Sequence, residues 1–172
     1  MKTKPRQTID IRKDDLLVAA IREFASRGLD AASTHAIAEA AGISQPYLFK
    51  VWKTKTLLFL AALDRVFDTI IGTFEGEAVG KPASVETLNM VGNAYERLSR
   101  AEMQMLLQGF AACDNPDVRN LVERRWMELI GVLTRIAGTG GDPIQHFLGF
   151  GMLMTVVRAA GMPNSALMCE DG

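Results

Sequence analysis

Ser33-Thr-His-Ala-Ile-Ala-Glu-Ala-Ala-Gly42-Ile-Ser-Gln-Pro-Tyr-Leu-Phe-Lys-Val-Trp52 is the stretch that decides the fold. Ser33 is a good N-cap, and Ile37, Ala38 and Ala41 then form the inward edge of a short helix over 34–41. Gly42 supplies the left-handed residue that a tight turn needs. Ser44 caps the next helix, where Pro46 falls in the first turn and removes no required N–H. Ala38 has to be small because helices this short cross close to it. Ile37, Ile43, Leu48 and Trp52 fill the wedge between them. Two such helices joined at this turn make a helix-turn-helix, whose second helix enters the DNA major groove.

Upstream, Leu17, Ala20, Ile21 and Phe24 recur at i, i+3, i+4 and i+7, which predicts a helix over 9–27 ended by Gly28. Downstream, Leu60, Leu63, Phe67, Ile70 and Phe74 stripe a helix from Thr54 to about Phe74, and 75–82 reads as a loop. Ser84 caps a helix reaching about Leu98, and 102–113 forms another. Asn115-Pro116-Asp117 and Asp142-Pro143 are start signals, while Gly138 and Gly161 are stops; they place the last helices over about 116–137 and 143–160. No stretch alternates with period two. The fold class is all-α, with about eight helices and a frayed tail after Pro163.

Composition narrows the function. The chain has 172 residues, 48% hydrophobic and 23% charged, which is globular rather than disordered. Cys113 and Cys169 stand apart without a CxxC, against a disulfide scaffold or a structural zinc site and in keeping with a reducing compartment. No apolar run approaches the roughly 18 residues of a membrane span, and the basic stretch 1–12 lacks a signal peptide's apolar segment. The expectation is a soluble, cytoplasmic protein. His35 and His146 are the two histidines, and no HExxH, GxSxG or P-loop occurs, so neither an enzyme, a cofactor nor a metal is expected. Residues 1–55 hold ten Lys/Arg against six Asp/Glu, a net of +4; residues 56–172 hold nine against fourteen, a net of −5. A basic first third points to a polyanion partner, although scattered surface charge gives the same count.

Over residues 9–63 the sequence resembles the TetR family of transcriptional regulators. Ala19-Ala20, Phe24 and Gly28, then Ile37-Ala38, Ala41-Gly42-Ile43-Ser44, Leu48-Phe49, Lys53-Thr54-Lys55 and Leu57-Leu58 carry the likeness, and Gln45-Pro46 opens the recognition helix in the same style. The family usually has Tyr where this chain has Phe49, so one phosphate hydrogen bond is lost there. The resemblance implies an N-terminal three-helix helix-turn-helix domain (1–53) joined to a C-terminal helical ligand-binding and dimerisation domain (54–172).

Roles follow from contact chemistry. Gln45 pairs with adenine N6/N7, and Tyr47 packs on a thymine methyl or bonds a phosphate. Lys50 reaches guanine or a phosphate. His35 is either a base reader or a solvated surface residue. Thr34, Ser44, Lys53 and Lys55 suit phosphates, the two lysines being otherwise ordinary solvated side chains. Lys2, Lys4, Arg6 and Arg12 form either a minor-groove arm or an untethered tail. Met103, Leu107, Phe110 and Trp126 are effector-pocket candidates, with packed core as the alternative. Gly149 and Gly151 each cost about 1 kcal/mol of helix stability relative to Ala, which close helix approach would justify. The last two helices of two subunits would then make a four-helix dimer bundle. The expected function is a ligand-responsive repressor that binds a palindromic operator in double-stranded DNA as a homodimer and is released by a largely apolar small molecule. The alternative is a sequence-independent architectural DNA-binding protein.

Overall fold

Capping side chains set most of the element boundaries in the computed structural model, which describes residues 7–163. Eight α-helices and one 3-10 helix occur among the described residues: α1 Gln7–Ala31, α2 Thr34–Ala40, α3 Gln45–Val51, α4 Lys55–Ala78, α5 Val85–Gly92, the 3-10 helix Asn93–Arg97, α6 Arg100–Ala111, α7 Pro116–Ala137 and α8 Asp142–Ala160. No strand is present among them. The Thr54 hydroxyl accepts from the Leu57 N–H at 3.1 Å and starts α4. Asn115 Oδ1 accepts from the N–H groups of Asp117 and Val118 and starts α7. Ser99 and Glu102 form a reciprocal capping box at α6, a start two residues earlier than the spacing indicated.

Gly28 interrupts α1 with φ 72° and ψ 179°, as its place after the apolar stripe predicts. A Cβ there would also lie 2.9 Å from Gln108 Oε1 of α6. The first helix thus ends against the second half of the chain. Its buried face carries Leu16, Ala20 and Phe24 onto α4 and α6, and the rings of Phe24 and Phe59 meet edge to face at 5.0 Å. From there the buried core runs without a break through α4 and α6 to α7 and α8. At Gly109 of α6 an added Cβ would sit 2.7 Å from both Leu63 methyl groups, so α4 and α6 are drawn close.

Two segments depart from the sequence reading. The helix expected from Ser84 to Leu98 stops at Gly92 and continues as the 3-10 helix. Gly92 backs onto α8, where a Cβ would meet Phe147 at 3.0 Å. The change of pitch brings the Tyr95 hydroxyl to Thr155 Oγ1 at 2.6 Å, both side chains buried. Likewise α4 runs on to Ala78, through half of the stretch read as a loop; Glu75 and Glu77 at its end pair with Arg135 and Arg97. Half-buried Arg125 joins α7 to α4 through Asp64 and Asp68, and pairs with Glu128 on its own helix. Lys2, Lys4, Arg6 and the tail after Pro163 lie outside the described residues, and α1 already includes position 12. Among the described residues no helix is long and apolar enough to cross a membrane.

Candidate nucleic-acid interface and ligand cavity

The helix-turn-helix forms as the sequence indicates. Ser33 Oγ accepts from Ala36 N–H at 3.3 Å, and Ser33 N–H donates to Glu23 of α1 at 3.0 Å. After Ala41 the chain turns through Gly42 at φ 65°; the Ile43 N–H reaches back to Ala38 O at 2.9 Å and the Gly42 N–H to Glu39 O at 3.0 Å. Ser44 Oγ accepts from Tyr47 N–H to start α3. Ile37, Ala38, Leu48 and Trp52 are buried in the wedge, and the Lys13 ammonium lies 5.8 Å from the Trp52 ring centre.

The outer face gathers most of the expected DNA contacts. His35, Ser44, Pro46, Phe49, Lys50 and Lys53 are exposed, while Thr34, Gln45 and Tyr47 are half-buried. Gln45 Nε2 donates to Thr34 Oγ1 at 2.8 Å, so the starts of α2 and α3 are tied together. That bond fixes the amide beside the surface where α3 is exposed, and it went unnoticed in the sequence because the partners are eleven residues apart. Lys55 is placed differently from the other basic candidates. Its Nζ donates to the carbonyls of Asp30 at 2.7 Å and Ala32 at 3.3 Å, fastening the start of α4 to the end of α1. A salt bridge to phosphate would have to displace those two bonds.

The second half of the chain holds a cavity of about 850 Å³ between α4, α5, the 3-10 helix, α6, α7 and α8. Phe67, Ile70, Phe74, Trp126, Leu129 and Phe147 are among the apolar residues that line it. Its rim is polar, with exposed Asn89, Asn93, Glu96, Asp142 and His146. Burial raises the Tyr95 phenol above its ordinary value, while its hydrogen bond to Thr155 and the nearby Arg158 charge pull the other way. The cavity is of the size that small-molecule sites occupy.

With this geometry in view, comparison with known proteins is direct. The family described as bacterial regulatory proteins, tetR family, matches residues 16–62. Residues 16–62 carry the helix-turn-helix domain of the TetR family. A transcriptional activator of Mycolicibacterium smegmatis, FasR, is 40% identical over 62 residues, a match covering 36% of this chain and 28% of that protein. Two solved structures extend the TetR-like fold over nearly the whole chain. LfrR of Mycobacterium smegmatis, in complex with proflavine, has TM-score 0.67 at 17% identity, covering 93% of this chain and 91% of that one. FadR of Bacillus subtilis, in complex with stearoyl-CoA, has TM-score 0.67 at 16% identity, covering 87% and 88%.

Within this TetR-like fold the expected pocket residues do not all face the cavity. Trp126 lines the cavity, whereas Met103, Leu107 and Phe110 do not. Met103 is buried in the core at 1% exposure. Leu106 takes the cavity-facing position of α6, and the next residue, Leu107, is turned about 100° from it. Phe110 stands behind Trp126, ring against ring at 5.7 Å. His146 is exposed at the rim. Phe67, Phe74, Phe147 and Phe150 are legible in the sequence as helix stripes, but nothing local announces that they converge. Gly149 and Gly151 are not explained by close approach within the chain, since an added Cβ at either meets nothing within 4 Å.

Proposed function

We propose that this protein is a ligand-responsive, non-enzymatic transcriptional repressor of the cytoplasm, in which residues 1–53 bind DNA and residues 54–172 bind an effector and a second copy of the chain. The observation that carries the reading is α4. It starts at the helix-turn-helix, anchored by Lys55 to the end of α1, and its Phe67, Ile70 and Phe74 line the cavity. One rigid helix therefore touches both sites. A molecule that fits the cavity better in one setting of α4 shifts the spacing of the two recognition helices of a dimer, which must lie about 34–36 Å apart to enter successive major grooves. A hundredfold loss of DNA affinity needs a coupling of only about 2.7 kcal/mol.

The dimer is supported by α7 and α8, where Met127, Leu153 and Val156 are exposed apolar side chains and Gly149 lies open on the side of α8 that carries Leu153 and Val156. LfrR in complex with proflavine and FadR in complex with stearoyl-CoA favour a small-molecule effector for this chain too, but the two ligands are so unlike that fold alone assigns none. The test is selection of bound duplexes from a random library, with affinities compared at two salt concentrations. A palindromic winner bound far above random DNA is the expected result. A steep salt dependence without a preferred sequence would replace this reading with an architectural binder, and absence of binding would refute both.

A further inference from the structure

We infer that the cavity selects a cationic aromatic molecule, with its rings against the aromatic walls and its positive charge toward Glu96 and Asp142. The inference rests on the reading of the cavity as the effector site and adds the chemical class of the effector. Phe67, Phe74, Tyr95, Trp126, Phe147 and Phe150 all line the cavity, half of the aromatic residues in the chain. Their faces are electron-rich and attract a flat ring system and a cation alike.

The charges are one-sided. Glu96 on the 3-10 helix and Asp142 at the start of α8 stand at the rim, and neither is in an ion pair among the described residues. Among the described residues no Lys or Arg lines the cavity. The nearby guanidinium groups are directed elsewhere: Arg158 donates to the carbonyls of Tyr95 and Leu98, Arg100 to that of Ala159, and Arg125 pairs with Asp64, Asp68 and Glu128. A carboxylate or phosphate ligand would meet two carboxylates and no fixed cation. The wall repeats the preference. Thr155 Oγ1 donates to Gly151 O at 2.8 Å, so its bond with Tyr95 must be donated by the phenol, which leaves the Tyr95 oxygen only as an acceptor for a ligand N–H. His146 is the one other titratable side chain on the lining.

The experiment compares two three-ring molecules of similar size and opposite charge, the 9-aminoacridine cation and the 9-anthracenecarboxylate anion. Binding is followed by calorimetry on the full chain and by quenching in a Trp52→Phe variant, in which Trp126 is the remaining tryptophan. The cation is expected to bind at least about tenfold more tightly than the anion, the product of two exposed rim charges of roughly threefold each. Glu96→Gln and Asp142→Asn should each weaken the cation about threefold and leave the anion unchanged or tighter. Equal or tighter binding of the anion, or carboxamide variants that leave the cation unaffected, would overturn the charge selection while the cavity still stood as the effector site. If neither molecule quenches Trp126, the cavity reading itself falls.

Discussion

Gly149 offers a test of the dimer that separates contacts within the chain from contacts across a subunit boundary. It sits inside α8, is exposed, and has no heavy atom within 4 Å of where a Cβ would stand. Within the subunit, Gly149→Ala should therefore only strengthen the helix, by about 1 kcal/mol. That gain is present in free and paired subunits alike, so it cancels from the association equilibrium. What remains is the methyl group itself. If α8 meets its symmetry mate at this glycine, overpacking costs about 1 kcal/mol per subunit. Two-fold symmetry doubles the cost, and the dimer Kd should rise about thirtyfold, each 1.4 kcal/mol being a factor of ten. Sedimentation equilibrium across a dilution series reads this directly. An unchanged Kd together with a Tm raised by about 2–4 °C would mean that no partner lies against Gly149, and the α8 pairing would be refuted.

Other perturbations reach the remaining links of the structure. Gly28→Ala places a side chain at φ 72° and against Gln108, so it should cost about 1–2 kcal/mol and lower Tm by about 2–8 °C in a thermal melt; an unchanged Tm would contradict that backbone setting. Gln45→Ala should narrow the affinity gap between cognate and random duplexes, whereas Lys53→Ala should weaken both equally and reduce the salt slope by about one. Lys55→Ala removes two bonds to backbone carbonyls and should cost about 1 kcal/mol in urea titration; lost DNA affinity with unchanged stability would make Lys55 a phosphate ligand instead. Tyr95→Phe should cost about 1 kcal/mol by removing a buried hydrogen bond. Because burial raises the Tyr95 phenol above its ordinary value of 10.0, the unfolded chain ionises first, so the native protein loses stability as pH rises past that value and the variant loses less.

Local chemistry was legible and convergence was not. Ser33, Ser44, Thr54 and Asn115 accept the hydrogen bonds that their positions announce, and Gly28, Gly42, Gly138 and Gly161 adopt the positive φ their positions suggest. Those signals act within a few residues, so a sequence displays them openly. The helix-turn-helix was readable for the same reason, being a twenty-residue unit with its own wedge of core. The cavity is different, because its rings come from α4, the 3-10 helix, α7 and α8 and meet through packing alone. Met103 looked available for a ligand because apolar periodicity marks burial without saying what buries it. The break at Gly92 was equally hidden, since its cause is Phe147, more than fifty residues later. Lys55 matches a phosphate-binding pattern, yet its ammonium is engaged by the carbonyls of Asp30 and Ala32 at the end of α1, more than twenty residues away in sequence.

The unbroken core from α1 to α8 has a consequence for how such a protein changes over generations. Leu16, Ala20 and Phe24 of the DNA-reading half are buried against Phe59, Leu63 and α6 of the other half, so cutting the chain after residue 53 would expose that whole face to water. The two halves, to which separate tasks are proposed, draw on one reserve of stability. A substitution that adapts α3 to a new operator and costs about 1–2 kcal/mol, an ordinary amount for a point mutation, then reduces the folded population that carries the proposed effector site as well. Compensation can then come from anywhere in the shared core, including cavity-wall residues that never approach DNA. Changes of operator and changes of ligand should consequently arise together more often than two independent modules would allow.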